Sequence, residues 1–204
     1  MHFLGRNRFT GLSVGIVGSG IAGALIGLLG KIYGAKITLL NRTRDRLDFL
    51  KNKGIFSNDE LQLNSEAERS IFDIVIPTTT FLYHEVLELC GKVVKDRGII
   101  ILFGGTKKGD VFPGIHNLEI DVIRRNHLDQ NVLLPTGKSI RIGGSHGATT
   151  RDFRRIISLF AANPDMLPVE RLISERISLN ELPDKIIYMA KHEHAGIVVV
   201  LIER

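Results

Sequence analysis

Ser13-Val14-Gly15-Ile16-Val17-Gly18-Ser19-Gly20-Ile21-Ala22-Gly23 is the stretch on which the reading of this chain turns. Its first five residues form a short apolar run suited to a buried strand. Gly18, Gly20 and Gly23 then make a G-x-G-x-x-G pattern, and a helical pattern fills residues 21–33. In a strand–turn–helix setting each glycine has a task. Gly18 permits the tight turn, Gly20 lets a pyrophosphate approach the backbone, and Gly23 lets the helix pack closely on the sheet. The free N–H groups of the helix start, from Ile21 and Ala22 onward, face the anion, with Ser19 beside it. The alternative is that the glycines serve close packing alone.

Working outward, similar apolar runs recur at residues 36–40, 72–76, 98–103 and 139–143, with helical patterns at 43–53 and 80–94. Alternating strands and helices predict an α/β fold: a Rossmann-type doubly wound parallel sheet of about six strands. A weaker strand is expected at Gly54-Ile55-Phe56. Residues 107–138, with Pro113, Gly114, Pro135 and Gly137, read as a long irregular connection. A helix starting near Thr149, with Asp152 set for a capping box, opens a C-terminal helix and strand tail. That tail carries Leu172-Ile173-Ser174, a helix over about 180–191 and the apolar run 197–202. The expected division is a dinucleotide-binding domain over 1–145 and the tail over 146–204.

The 204 residues suffice for one well-cored domain or one and a half. With 44% hydrophobic and 24% charged residues, disorder, collagen-like repeats and coiled coils are excluded. The charge-free run 9–30 imitates a membrane span, but seven glycines dilute it, and their spacing suits strand, turn and helix better. The single cysteine, Cys90, lies on an apolar helix face and cannot form an intramolecular disulfide, which fits a reducing, cytoplasmic compartment. A formal charge of +5 suits a phosphorylated ligand, although scattered surface lysines and arginines are the commoner explanation.

At the end of the second strand an NAD-binding protein usually places an acid for the ribose hydroxyls. Here the residues are Asn41-Arg42-Thr43-Arg44-Asp45-Arg46. Arginine suits a phosphate at the ribose 2′ position, so Arg42 and Arg46 favour NADP over NAD. The plainer reading has Thr43 capping a helix, the arginines solvated or paired with acids, and Asn41 still on a ribose. Thr78 and Thr79 after the third main strand, and Phe103 and Gly104 after the next, stand where open sheets bind ligands, or serve as turns with Thr80 as a helix cap. His192-Glu193-His194 reads as a solvated turn rather than a metal pair, and His146 as a turn histidine. No catalytic triad or activated cysteine is visible.

The order Val14–Gly23 in one-letter form VGIVGSGIAG, Phe72-Asp73-Ile74-Val75-Ile76-Pro77, Gly98-Ile99-Ile100-Ile101-Leu102-Phe103-Gly104-Gly105, Gly143-Gly144-Ser145-His146-Gly147-Ala148-Thr149 with Asp152-Phe153, and Leu172-Ile173-Ser174 resembles the C-terminal half of the medium-chain dehydrogenase/reductase superfamily. Its zinc-dependent polyol, threonine and alcohol dehydrogenases are the most similar branch, and the resemblance covers the chain from about residue 12. It implies a GroES-like domain ahead of this one, supplying zinc ligands and much of the substrate pocket. It also implies hydride transfer between nicotinamide C4 and an alcohol. Zinc is not expected on this chain, nor any catalytic residue. The tail strands would lack their family partner, so residues 197–202 are expected to pair with another copy, with a separate N-terminal chain, or with the chain's own sheet. Three functions follow: the nucleotide-binding part of an oxidoreductase, a freestanding dinucleotide-binding or sensing module acting through assembly, or a decayed chain. None involves nucleic acid or a membrane.

Overall fold

A computed structural model of the chain describes residues 9–191 and 196–201. Strand β1 (Ser13–Val17) leads to helix α1 (Ile21–Ile32), β2 (Lys36–Asn41), α2 (Arg44–Asn52) and a short β3 (Leu61–Leu63). Then come β4 (Phe72–Pro77), α3 (His84–Val93) and β5 (Val94–Leu102). A small hairpin of β6 (Val111–Phe112) and β7 (Ile115–Glu119) precedes α4 (Ile120–Arg125), β8 (Asp129–Leu133) and β9 (Ser139–Gly144). The tail consists of α5 (Thr150–Ala162), β10 (Ile173–Ser178), α6 (Leu182–Lys191) and β11 (Ile197–Leu201).

Seven strands form the main sheet in the order β3-β2-β1-β4-β5-β9-β8. Every pair is parallel except β8 with β9. The chain runs from β1 outward to β3, then crosses back to β4 beside β1, so the winding direction reverses between β1 and β4. That is the doubly wound sheet expected, with one strand more. The added strand is β8, inside the stretch expected to be irregular. Asp129, Gln130, Asn131 and Leu133 are exposed and only Val132 is buried, so β8 lacks the apolar run of a central strand. The β8–β9 turn is fixed by Lys138, whose ammonium donates to the carbonyls of Gly91 (2.8 Å), Lys92 (2.9 Å) and Val94 (2.7 Å) where α3 ends.

Two local expectations are corrected. Gly54-Ile55-Phe56 is a turn, because the N–H groups of Gly54 and Ile55 bond back to the carbonyls of Lys51 and Leu50 and close α2. Ile55 and Phe56 are buried there, and β3 is the strand that pairs with β2. The helix expected over 80–94 begins at His84, with Tyr83 rather than Thr80 at the N-cap. Residues 80–82 are held extended instead: Gly105 N–H donates to Thr80 O, and Leu82 N–H donates to Gly105 O.

One core lies under α3 and α4, including Leu87, Cys90, Ile100, Ile123 and Ile142. The other lies under α1 and α2, including Ile16, Leu28, Leu39, Leu50 and Phe56. Cys90 is fully buried, and burial pushes its thiol pKa well up, which leaves it inert. Among the described residues part of the sheet on the α1 side is uncovered: Ile76, Ile101 and Phe103 floor a groove of about 250 Å³ walled by Phe9, Leu29 and Tyr33. Among the described residues no helix is long and apolar enough to cross a membrane.

The capping box predicted for α5 is present: Asp152 Oδ2 accepts from Thr149 N (2.8 Å) and Oγ1 (2.7 Å). β10 and β11 pair in parallel with each other as a separate two-stranded sheet. Leu167 and Leu172 anchor this tail in the α1/α2 core, and Arg171 Nη1 donates to Gly54 O at 3.1 Å. Of the three pairings open to the 197–202 run, its described part therefore shows one within the chain, although not with the main sheet. Ile202 and His192-Glu193-His194 lie outside the described residues.

Candidate nucleotide site

The reversal of winding opens a crevice at the carboxyl ends of β1 and β4, the position at which open α/β sheets bind ligands. The β1–α1 loop lines it. Gly18 has φ +112°, a conformation that side chains other than hydrogen rarely adopt, and its N–H donates to Leu40 O at 2.8 Å. Thr78 locks the loop from β4: its N–H donates to Val17 O (2.8 Å) and its hydroxyl to Gly18 O (2.8 Å). A β-carbon on Gly23 would fall far inside contact distance of the Gly18 carbonyl oxygen. Gly20 is different, since the nearest atom to a β-carbon there would be Arg46 Nη1 at 3.7 Å. Gly23 thus serves packing, whereas Gly20 leaves open space toward the cleft.

Gly20 is the N-cap of α1, no side chain caps that end, and no acid stands in the first turn. The first N–H groups, those of Ile21, Ala22 and Gly23, and the positive end of the helix dipole are left for an anion. Beside them is a cleft of about 200 Å³ lined by Ser19, Gly20, Ile21, Arg46, Phe49 and Gly196. Ser19 is 4% exposed, yet among the described residues its hydroxyl has no hydrogen-bond partner, and neither has the buried Arg46 Nε. A buried donor without a partner is costly, by roughly 1–3 kcal/mol. A phosphate oxygen in the cleft would satisfy both donors, so these residues fit a phosphorylated group.

The other predicted residues divide. Asn41 is buried and its amide is used internally: its Oδ1 accepts from Ser19 N (3.4 Å) while Nδ2 donates to Thr43 O (2.9 Å) and Oγ1 (3.3 Å). Thr43 occupies the N-cap of α2 but its side chain makes no capping bond. Arg42 is exposed, and Arg44 pairs with Glu66 at 3.1 Å. Thr79 Oγ1 donates to Phe81 O at 2.8 Å, as in a turn. Gly104 N–H donates to Pro77 O at 2.9 Å and brings the β5 end against β4. Phe103 is 39% exposed, in the uncovered groove, and its carbonyl accepts from Arg124 Nε at 3.2 Å. Burial, followed by its neighbour Arg125, lowers the Arg124 guanidinium pKa.

His146 is exposed in the loop after β9. Among the described residues no group of three or more His, Cys, Asp or Glu side chains could hold a metal ion. Sequence reasoning missed Phe49 and Gly196 as cleft residues. Phe49 looks like ordinary core spacing, and Gly196 comes from the far end of the chain with no local signal.

No family model matches the sequence, and no curated protein matches it. Solved structures do. A protein described as a zinc-binding dehydrogenase from Clostridium scindens matches with a TM-score of 0.65 at 16% identity, over 96% of this chain and 51% of that one. An alcohol dehydrogenase from Thermotoga maritima matches with a TM-score of 0.67 at 17% identity, over 97% and 52%. A protein from Sinorhizobium meliloti described as a zinc-binding dehydrogenase, bound to NADP, matches with a TM-score of 0.62 at 21% identity, over 96% and 54%. The chain therefore has the Rossmann-like fold found in about half of each of these dehydrogenases, and spans about half their length.

Proposed function

We propose that this chain binds a pyridine dinucleotide, NADP in preference to NAD, as the nucleotide-binding portion of an alcohol or polyol dehydrogenase-like oxidoreductase. One observation supports the reading: Ser19 and Arg46, whose buried hydroxyl and Nε lack partners among the described residues, line the same cleft as the uncapped start of α1. The NADP bound to the Sinorhizobium protein is consistent with it. Gly18, Gly20 and Gly23 shape the loop, Ser19, Ile21 and Ala22 meet phosphate, and Asn41 and Thr43 hold the loop against α2. Arg42 and Arg46 read the 2′-phosphate, while Thr78, Thr79, Phe103 and Gly104 flank the nicotinamide end.

When bound, the dinucleotide supplies the hydride-transfer chemistry; this chain's residues bind and orient it, and on its own the chain turns nothing over. Residues 1–145 constitute the binding domain and 146–204 the tail that joins a catalytic half carried elsewhere. With an inert buried Cys90, the setting is the cytoplasm.

Calorimetric titration of NADPH and NADH against the chain, repeated with Arg42→Ala and Arg46→Ala, tests this. NADPH is expected to bind more tightly, and removal of either arginine to erase about tenfold of that preference. Equal affinities in the parent chain overturn the 2′-phosphate role.

A second reading is favoured by the tail. β10 and β11 pair with each other and Leu172 is fully buried, so this segment has partners inside the chain. The chain is then a freestanding dinucleotide-binding module. Restored dehydrogenase activity on mixing with a GroES-like partner supports the first reading; cofactor-dependent oligomerisation without activity supports the second.

A further inference from the structure

We infer that the β10–β11 tail is a wall of the phosphate cleft, so that a phosphorylated nucleotide bound there fastens β11 to the body of the domain. The inference rests on the reading above that the cleft takes a nucleotide. Three parts of the chain meet at the cleft: Ser19 and Gly20 of the loop, Arg46 and Phe49 of α2, and Gly196 just ahead of β11. Gly196 is the residue the tail contributes to its lining. Its φ is +92°, and a β-carbon on it would stand 2.8 Å from Phe49 Cζ and 2.9 Å from the Leu172 carbonyl oxygen. Ser174 Cβ of β10 would be nearer still, at 2.6 Å, so a larger residue there would have to shift β11 away from both α2 and β10.

The position of Gly196 sets that of β11, because Ile197 follows it directly and packs on the α1/α2 core. Beyond that anchor the hold is thin. Among the described residues the ladder partner of β11 is β10 alone, in parallel, and Ile197 to Val200 are only half-buried. Two strands without a third are marginal, and parallel pairing is the weaker kind. β11 therefore belongs to the low-stability end of the molecule. An anion accepting hydrogen bonds from Ser19 Oγ and Arg46 Nε also lies against Gly196. It binds the docked tail more tightly than the undocked one, and by linkage docking and binding strengthen each other. Gly196 is here a positioning residue, acting through backbone shape.

Hydrogen exchange of the amides of Ile197–Leu201 in the full chain, free and saturated with NADPH or with 2′,5′-ADP, tests the coupling. Both ligands are expected to slow exchange in β11 about fivefold or more, the low end of typical coupling between sites. Gly196→Val is expected to weaken NADPH by a similar factor and to abolish that protection, with the circular dichroism of the main fold retained. Unchanged β11 exchange, with NADPH shown bound by calorimetry, overturns the inference and leaves the dinucleotide reading standing. Absence of NADPH binding overturns both. Protection by NADPH but not by 2′,5′-ADP places the coupling at the nicotinamide end and overturns it as well.

Discussion

Gly20 and Gly23 sit three residues apart, at the N-cap and in the first turn of α1, and do opposite things, and substitution separates them. At Gly23 a β-carbon collides with the Gly18 carbonyl, so Gly23→Ala is expected to destabilise the fold by about 2 kcal/mol in urea unfolding, as overpacked sites do. At Gly20 there is room, so Gly20→Ala is expected to stay within about 1 kcal/mol of the parent yet lose most NADPH affinity. Equal NADPH binding by parent and Gly20→Ala would leave the loop with a packing role only. The glycine pattern was legible in the sequence because the turn, the close approach and the helix start are all local. The state of Ser19 was not: its N–H donates to Asn41 Oδ1 at the end of β2, while its buried hydroxyl has no partner among the described residues. The role first given to Asn41, contact with a ribose, is likewise rivalled by bonds that only the folded loop reveals.

At the scale of elements, the main parallel strands were legible as runs of buried, apolar residues, and the helices among them by the helical spacing of their apolar positions, as with Leu47 and Leu50 of α2. What hid was the polar edge strand β8 and the short α4, whose hold on the sheet is partly electrostatic. Asp121 of α4 is buried, accepting from Thr106 Oγ1 at 2.6 Å and from Arg125 Nε at 2.8 and 2.9 Å. The Thr106 hydroxyl, and then Arg125 against the opposing effect of burial, hold the Asp121 carboxyl below the usual carboxylate range. Because the folded pKa is depressed, the resulting stability is complete above the unfolded value of about 3.9 and is lost as pH falls through the folded one. Urea midpoints are thus expected to drop below about pH 4 in the parent, and Asp121→Asn to be weaker near neutrality with a shallower acid limb. Parallel acid limbs in the two proteins would show that Asp121 does not set this dependence.

For the whole molecule, the matched dehydrogenases are about twice as long, and the chain corresponds to one half of each. That half presents an uncovered strip of sheet, where Ile76, Ile101 and Phe103 face the groove beside α1. Apolar dyes such as anilinonaphthalene sulfonate collect on surfaces of this kind, and their fluorescence is the usual sign that a protein has lost its tertiary packing. In this chain the dye is expected to brighten in the native state, with Phe103→Asp dimming it and urea unfolding remaining a single cooperative transition. A dark native state would mean that the strip is covered in solution. If the strip is open, bright dye fluorescence marks the intact chain, and the assay normally used to flag misfolding reads in reverse.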